Sequence, residues 1–405
     1  VVQSFSRFKQ DVLMVDRKKR VIMMSELDAV ERDSLRNTPA LQFGTQQNSV
    51  LWDIQDVGYA LRSEEEAACY DDILELIRLR LPLRDLDMAN QVEQCWGASA
   101  DTWKLAALIL TQSVEYEMKG ECGVPDLERY LQGGIFKMSP DHFHPFRALN
   151  PMTKLLCHYY GPPTPSARES GFWKRNGLSE VMTFHGFGQG WQTQDGLAVL
   201  KPPYHDLDCA AARWAPFGPQ TDGQDPRTNV PVYNTHAWGA TPAQSYSLDC
   251  LDENKEQLSM REMLEEYWSD EVQTQWEGWL AGGDHTWQSF NALLECLDKR
   301  NVHPSTLGGL QLANTLTIYG MVSPPSVLEM VATIAKLGKG AVAGLKSLGL
   351  PHTTPRDIAM GFIVFHQYLR SLFNASQRDL IHYSPGMTEH ILCKIPRWVR
   401  LNLDW

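Results

Sequence analysis

The residues best suited to chemistry are histidines and aspartates in the middle of the chain. His142 and His144 form an H-x-H pattern, and His205, Asp206 and Asp208 form an H-D-x-D pattern. Neutral imidazoles and carboxylates together suit a divalent metal ion. No strand-helix alternation is predicted that would bring them to one sheet edge, so we favour ordinary loop histidines that bond nearby backbone. We predict no metal and no cofactor; a metal-dependent hydrolase using these five residues is an alternative.

The remaining catalytic motifs are incomplete. Cys157 and His158 are adjacent in sequence, whereas the fold normally assembles a nucleophile and its base from distant segments. Gly186, Gly188 and Gly190 make a glycine-rich stretch, but the Lys-Ser or Lys-Thr of a phosphate-binding loop does not follow it. We therefore expect that the protein is not an enzyme.

The clearest basic stretch lies near the start of the sequence. Residues 1–20 contain six Lys or Arg and two Asp, and they end in Arg17, Lys18, Lys19 and Arg20. One interpretation is a solvated turn or helix end; the other is an arm that neutralises RNA phosphates without reading sequence. The formal net charge of -12 argues against nucleic-acid binding over the whole surface. The four basic residues are therefore the candidate nucleic-acid contacts.

Cysteine usage and hydropathy indicate the compartment. The eight cysteines are far apart and include no CxxC pair, which favours reduced thiols over a zinc site. No apolar run is long enough to span a bilayer, and the residues from Val1 to Ser4 do not resemble a secretory signal. We expect a soluble, cytoplasmic protein without membrane contact.

Apolar residues recur at helical spacing on both sides of the middle segment. Two helices are predicted before it, from Ser63 towards Pro82 and from Ser99 to Gly120. Further helices are predicted to follow Ser259, Asp284, Pro304 and Pro325 and to begin at Thr354. The C-terminal 155 residues are therefore expected to be almost wholly helical.

Residues 139–250 have a different composition, because they hold 13 of the 23 prolines. Short apolar stretches such as Glu180–Phe184 and Leu197–Leu200 are typical of short strands between ordered loops. A long, aromatic-rich segment of this kind usually packs as a subdomain. We predict a mainly α fold in which a helical domain, formed by residues 1–138 with an N-terminal arm and 251–405 with a C-terminal arm, is interrupted by an irregular α+β protruding domain, 139–250.

Two segments near the C-terminus have the composition of contact surfaces. Pro396–Trp405 alternates apolar and polar residues, which is typical of an edge strand or an arm docked on a neighbouring chain. Ala335–Lys346 combines glycines with three lysines and no acid, which fits an RNA-facing or membrane-active helix. We favour instead a helix whose glycines admit a close neighbouring helix or subunit. The candidate subunit contacts are Trp398, Trp405, Gly340 and Gly344.

In the order of its segments the chain resembles the coat proteins of small double-stranded RNA viruses of the partitivirus kind. In these proteins a helical shell domain is interrupted by a protruding domain, as residues 1–138, 139–250 and 251–405 are arranged here. The resemblance implies a structural protein whose homodimers assemble into a closed icosahedral shell. Its partners would be other copies of itself and viral RNA bound without sequence specificity, in the virion and the host cytoplasm.

The main alternative is a viral-type nucleoprotein. In that class two helical lobes clamp single-stranded RNA along a basic groove, and terminal arms exchange between neighbours. This would explain the two arms but gives the long insertion no role. A cellular adaptor built from the same helices is a further alternative.

Overall fold

A computed structural model describes residues 64–80, 100–119, 143–149, 153, 175–187, 203–214, 224–225, 230–231, 260–297 and 307–400. These ranges are mainly helical, as predicted. None of the helices within them has the length and hydropathy needed to cross a membrane.

The described residues group into two compact units. The first draws on Val1–Lys137, Phe143–Arg147 and Pro325–Trp405, and the second on Met138–His142 and Ala148–Pro324. The first unit is therefore discontinuous in sequence, because the second unit is inserted between its two main parts. Its first break follows Lys137 and its last follows Pro324, so the described helices between 260 and 318 group with the middle segment. The boundaries predicted at 138 and 250 stay predictions.

The first unit contains seven described helices. They are α1 (Glu64–Arg80), α2 (Ala100–Lys119), α9 (Val327–Leu337), α10 (Ala341–Ser347), α11 (Pro355–Leu372), α12 (Ala375–Leu380) and α13 (Pro385–Arg400). A short 3-10 turn at Arg147–Leu149 lies at the break between the units.

The two N-terminal helices of the first unit confirm the predicted apolar faces. On α1 the buried face consists of Tyr70, Ile73, Leu74 and Ile77, and on α2 it includes Trp103, Ala106, Ile109 and Leu110. Residues spaced by three and four positions share one side of a helix, so these faces become the core stripes of the unit. The predicted starts after Ser63 and Ser99 are confirmed to within one residue.

Side-chain caps fix the starts of the C-terminal helices. At α9, Ser326 Oγ accepts from the Glu329 N–H at 3.2 Å while Glu329 Oε2 accepts from the Ser326 N–H at 2.7 Å. At α11, Thr354 Oγ1 accepts from the Asp357 N–H at 3.1 Å, and Pro355 occupies the first turn. Each cap satisfies backbone donors that have no partner within the helix. The helix starts predicted here are confirmed.

Two predictions for this unit need correction. Ala335–Lys346 is not one helix, because α9 ends in the left-handed region at Gly338 (φ 62°) and α10 begins after Gly340 (φ 60°). Pro396–Arg400 is not an edge strand or an extended arm, because it forms the last turns of α13. Five alternating residues cannot reveal that a buried helix face continues through a proline. Residues 401–405 lie outside the described part of the chain.

The second unit contains six described helices and one pair of very short strands. The helices are α3 (Gly177–Phe187), α4 (Leu207–Trp214), α5 (Met260–Glu265), α6 (Asp270–Ala281), α7 (Trp287–Leu297) and α8 (Leu307–Ile318). The strands β1 (Gln224–Asp225) and β2 (Val230–Pro231) are antiparallel, with Gln224 opposite Pro231.

The strand predicted at Glu180–Phe184 is wrong, because these residues belong to α3. Every side chain described from Gly177 to Thr183 is buried. A helix enclosed on all sides has no polar face, so its sequence shows no period of 3.6 residues and resembles a buried strand. The sequence predicts short strands for 139–250, and in the described residues of that segment the strands are β1 and β2. Leu197–Leu200 is outside them.

Tryptophans organise the helical pair α6 and α7. Trp276 stacks on Trp279 with ring centroids 5.1 Å apart, and Trp279 meets Phe290 edge-on at 5.6 Å. The predicted apolar face of α7, which consists of Trp287, Phe290, Leu293, Leu294 and Leu297, is buried as expected. The predicted helix after Ser259 is divided into α5 and α6, and Ser269 caps the second of them.

Candidate functional site

The predicted nucleic-acid contacts Arg17, Lys18, Lys19 and Arg20 lie outside the described residues, as does Trp405. Their roles stay predictions. The other predicted contact residues, Trp398, Gly340 and Gly344, all belong to the first unit.

Gly344 lies at the most extensive helix-helix contact among the described elements, between α10 and α13. A Cβ added at Gly344 would lie 2.1 Å from the carbonyl oxygen of Leu392. One at Gly340 would lie 2.6 Å from Cys393 Sγ. The close neighbour of both glycines is thus a helix of the same chain, and Gly344 has no space for a second subunit.

Pro396 explains why the Leu392 carbonyl is the group that faces Gly344. In a regular helix this oxygen would accept a hydrogen bond from the N–H four residues later, and residue 396 is a proline without an N–H. The oxygen is therefore free of that helical bond and points at the glycine backbone. Only a residue without a side chain permits so close an approach.

Trp398 is a core residue of the first unit. Its side chain is fully buried, and its indole N–H donates to the carbonyl oxygen of Phe143 at 2.9 Å. The bond links α13 to the chain segment that precedes Arg147. In this fold the side chain leaves no surface for a neighbouring subunit.

The five residues of the metal-site alternative are not assembled in the described residues. His144 belongs to the first unit, whereas His205, Asp206 and Asp208 belong to the second, and His142 is outside the described ranges. Across those ranges, no set of three or more His, Cys, Asp or Glu side chains is grouped to hold a metal ion.

His144 is bonded to nearby backbone, which agrees with the favoured interpretation of the loop histidines. Its Nδ1 accepts from the Phe146 N–H at 3.1 Å. The same Nδ1 lies 3.0 Å from the Phe146 carbonyl oxygen. Nε2 lies 3.9 Å from Glu117 Oε1 on α2, so the ring joins α2 to the segment 143–149.

His205 and its aspartates form a structured turn held by a buried carboxylate. Glu180 on α3 is fully buried and accepts from the Tyr204 N–H at 2.8 Å and the His205 N–H at 2.6 Å. Asp206 Oδ1 accepts from the Cys209 N–H at 2.7 Å and so caps α4. Asp208 forms an exposed ion pair with Arg261. Both aspartates therefore have structural partners.

A cluster of buried titratable groups on α13 was missed by the sequence analysis. Glu389, His390 and Lys394 are between 1% and 4% exposed. The Cys393 thiol donates to Glu389 Oε1 at 2.9 Å. Polar residues in the register of Ile391, Leu392 and Ile395 could have indicated a polar core, but their partners come from distant segments.

Burial decides the protonation of this α13 cluster. Burial raises the pKa of the Glu389 carboxyl, although Cys393 and nearby Arg147 oppose the shift. Burial also raises the pKa of the Cys393 thiol well above its ordinary value, and Glu389 adds to the effect. Burial lowers the pKa of His390 well below its ordinary range, with Lys394 and Arg147 acting in the same direction.

A third buried histidine, His366, joins α11 to α13. Its Nδ1 lies 2.7 Å from Thr388 Oγ1, and its carbonyl oxygen accepts from the Tyr383 hydroxyl at 2.7 Å. The ring stacks on Tyr383 with centroids 4.7 Å apart. Burial, assisted by the charge of Arg370, lowers the pKa of His366 to about 3, so the ring is neutral at physiological pH.

The chemistry of these groups is that of a polar core. A reactive cysteine needs a lowered pKa, and Cys393 has the opposite shift. His366 is held neutral by burial and joins α11 to α13, so its contribution is to position these two helices. No family model, curated protein or solved structure matches the chain.

Proposed function

We propose that the protein is a structural, self-assembling coat protein whose copies pair as homodimers and enclose an RNA genome in a shell. The observation that carries the proposal is the discontinuous first unit, in which segments before and after the inserted unit form one helical body. A shell protein of this layout needs a continuous scaffold and a separate projecting part. Its sites of action would be the virion and the host cytoplasm.

Long-range hydrogen bonds support the continuity of the scaffold. The Trp103 indole N–H on α2 donates to the Leu348 carbonyl at 2.9 Å, across 245 positions of sequence. Gln367 Nε2 on α11 donates to the Tyr70 hydroxyl on α1 at 3.2 Å, across 297 positions. The side chains of Trp103, Gln367 and Tyr70 carry polar groups, and a buried polar group requires a hydrogen-bond partner. The two parts of the first unit are therefore expected to fold together.

The inserted unit is the proposed projecting part. It reaches from Ala148 to Pro324, so the projection would include α5 to α8 as well as the segment up to 250. An insertion with both ends at the scaffold can project without interrupting the scaffold core.

Charge limits the proposed RNA contacts to local sites. A chain with net charge -12 would hold a packaged genome loosely, because its net charge repels phosphate. A few cations, such as those from Arg17 to Arg20, would provide the local contacts.

Mixing with short single-stranded RNA separates the coat protein from the nucleoprotein alternative. The protein is treated with nuclease, then incubated with and without a short RNA and imaged by electron microscopy. Closed particles in both samples are the expected result. Binding of short strands with strong salt dependence, without closed particles in either sample, would favour a nucleoprotein.

Elemental analysis tests the metal-dependent alternative. The purified protein is expected to hold far less than one equivalent of any transition metal per chain. A full equivalent that survives dialysis, and that is lost in a His205→Ala variant, would favour the hydrolase.

A further inference from the structure

Two sequence segments of the first unit contain basic residues and no acids. Residues 330–356 include Lys336, Lys339 and Lys346 without any Asp or Glu, and residues 390–403 are also free of acids. The two segments meet in space, because α10 packs on α13. The net charge of the chain is -12, whereas the net charge of these two segments is positive.

We give the name lysine elbow to Lys336, Lys339 and Lys346. The folded backbone sets the positions of their Cα atoms. Lys336 is in the last turn of α9, Lys339 lies between the helices, and Lys346 is on α10. Gly338 and Gly340 have positive φ angles, and they turn the chain between α9 and α10. The tight contact of Gly344 with Leu392 holds α10 against α13, so the backbone that carries Lys346 is part of a packed helix.

The three lysine side chains are exposed. On α10 the buried residues Ala341, Gly344 and Leu345 pack inward, and Lys346 lies on the opposite, solvent side. Within the described part of the chain, none of the three ammonium groups has an ion-pair partner. They are therefore available to an external anion.

The acids on the surrounding helices are already engaged. Glu329 is the acid of α9, and it is buried in the capping box with Ser326. Asp357 is the acid of α11, and its Oδ2 accepts from Thr353 Oγ1 and Thr354 Oγ1 at 2.5 and 2.9 Å.

The acid of α13 is also turned inward. Glu389 is buried and bonded to Cys393. The three helices with the most contact to α10, which are α9, α11 and α13, thus present no free carboxylate to the elbow.

We propose that the lysine elbow binds phosphate groups of the RNA backbone without reading sequence. The inference rests on the proposed function for the source of the RNA, and it adds a contact on the folded scaffold to those expected at Arg17–Arg20. Lysine suits this role because its ammonium is a compact charge that attracts phosphate from many directions. The other partner that fits the charge is an acidic surface of a second copy, and the experiment distinguishes the two.

The test compares two double variants of the full chain that remove the same charge. Lys339→Gln/Lys346→Gln alters the elbow. Lys104→Gln/Lys119→Gln alters exposed lysines on α2 that have Asp101 and Glu115 on the same helix face. Binding of a labelled single-stranded oligouridylate is measured by fluorescence anisotropy over a salt series, and circular dichroism verifies that each variant is folded.

The elbow variant is expected to lower the slope of log affinity against log salt by about 1.4, since each phosphate contact on a single strand contributes about 0.7. Affinity at 0.1 M salt should fall roughly 25-fold by the same relation. The α2 variant should change both quantities far less. An unchanged slope, an equal loss in both variants, or no RNA binding by the parent protein would overturn the proposal.

RNA content and particle mass separate this inference from the proposed function. If the parent forms shells, the elbow variant should form shells of the same diameter with less RNA, read from the ratio of absorbance at 260 and 280 nm. An altered particle mass with unchanged RNA binding would assign the elbow to a contact between copies and overturn the inference. If the parent forms no shells, the proposed function is wrong. The salt series would still decide whether the elbow binds RNA.

Discussion

Trp103 on α2 donates a hydrogen bond to the carbonyl oxygen of Leu348, at the end of α10, over 2.9 Å. The indole is buried and meets Tyr368 edge-on, with ring centroids 4.9 Å apart. One side chain from before the inserted unit thus contacts two helices that follow it. This contact makes the two halves of the scaffold depend on each other.

Replacing Trp103 with phenylalanine tests that dependence. The variant leaves the Leu348 carbonyl without its side-chain donor and opens a space in the core, so we expect a loss of about 2–4 kcal/mol in the free energy of unfolding. Urea denaturation followed by far-UV circular dichroism provides the measurement. Trp279→Phe, at a partly exposed tryptophan bonded to Ser289, should lose clearly less. Equal losses at the two positions would contradict the role assigned to Trp103.

Gly344→Ala should weaken the packing of α10 on α13. The added methyl would lie 2.1 Å from the Leu392 carbonyl oxygen, so the helices must separate, at a cost of about 1–3 kcal/mol. Gly278→Ala on α6 is the matched control, because a Cβ there meets nothing within 4 Å. Helix propensity alone should make that control neutral or more stable by up to about 1 kcal/mol. Thermal unfolding of both variants gives the comparison, and a tolerated alanine at 344 would contradict the close contact.

His366 should make stability depend on pH. The pKa of the folded ring is about 3, against an ordinary value of 6.5, so below pH 6.5 only the unfolded chain takes up this proton. Stability is therefore retained above pH 6.5 and lost as pH falls towards 3, with a limiting slope of about 1.4 kcal/mol per pH unit. The free energy of unfolding of the parent and of His366→Asn is measured from pH 7 to pH 4.

The difference between His366→Asn and the parent isolates this histidine from its neighbours. His390 acts in the same direction as His366, because its pKa is also lowered. Glu389 acts in the opposite direction, because its pKa is raised. The free energy of unfolding of His366→Asn should fall less steeply with decreasing pH than that of the parent. His382→Asn, at a more exposed ring, should change this pH dependence less. Parallel pH curves for the parent and His366→Asn would refute the prediction.

Glu180→Gln should destabilise the second unit. Glu180 Oε1 accepts from the His205 N–H and Oε2 accepts from the Tyr204 N–H at 2.8 Å. In glutamine an NH2 group would replace one of these oxygens, and at the Oε2 position it would face the Tyr204 N–H donor. We expect a loss of about 2–3 kcal/mol, since these are bonds to a buried charged group. Denaturant unfolding monitored by tryptophan fluorescence measures it. A variant as stable as the parent would show that the turn does not depend on Glu180.

His205→Gly should be tolerated. Its φ of 73° lies in the left-handed region, which is costly for a residue with a side chain, so glycine is expected to leave stability unchanged or raise it by up to about 1 kcal/mol. Only the backbone of His205 takes part in the bonds to Glu180 and Asn176. Thermal unfolding is the measurement. A large loss of stability would instead indicate an essential role for the imidazole.

The helices with one apolar face were predictable from sequence, and those enclosed on all sides were not. The face of α7, from Trp287 to Leu297, is buried as expected. In contrast, α3 is buried throughout its described side chains, and α13 continues through Pro396. A helical period of apolar residues appears only where one face of a helix is buried and the other is in water. Neither α3 nor α13 has two such distinct faces.

The candidate site was less predictable, because it depends on contacts between distant segments. The favoured interpretation of Gly340 and Gly344 left open whether the close neighbour was a helix or a subunit, and in the structure α13 lies against both glycines. Burial of Glu389 and His390 follows from the same packing. No local pattern specifies which helix will cover a residue, so the sequence alone could not assign these partners.

The particle mass of the purified full chain, measured by light scattering on a sample also imaged by electron microscopy, tests the coat-protein proposal most directly. The account predicts spherical shells in the megadalton range, built from many copies of the 45.9 kDa chain. A monomer or a small oligomer at all concentrations and salt conditions would contradict it.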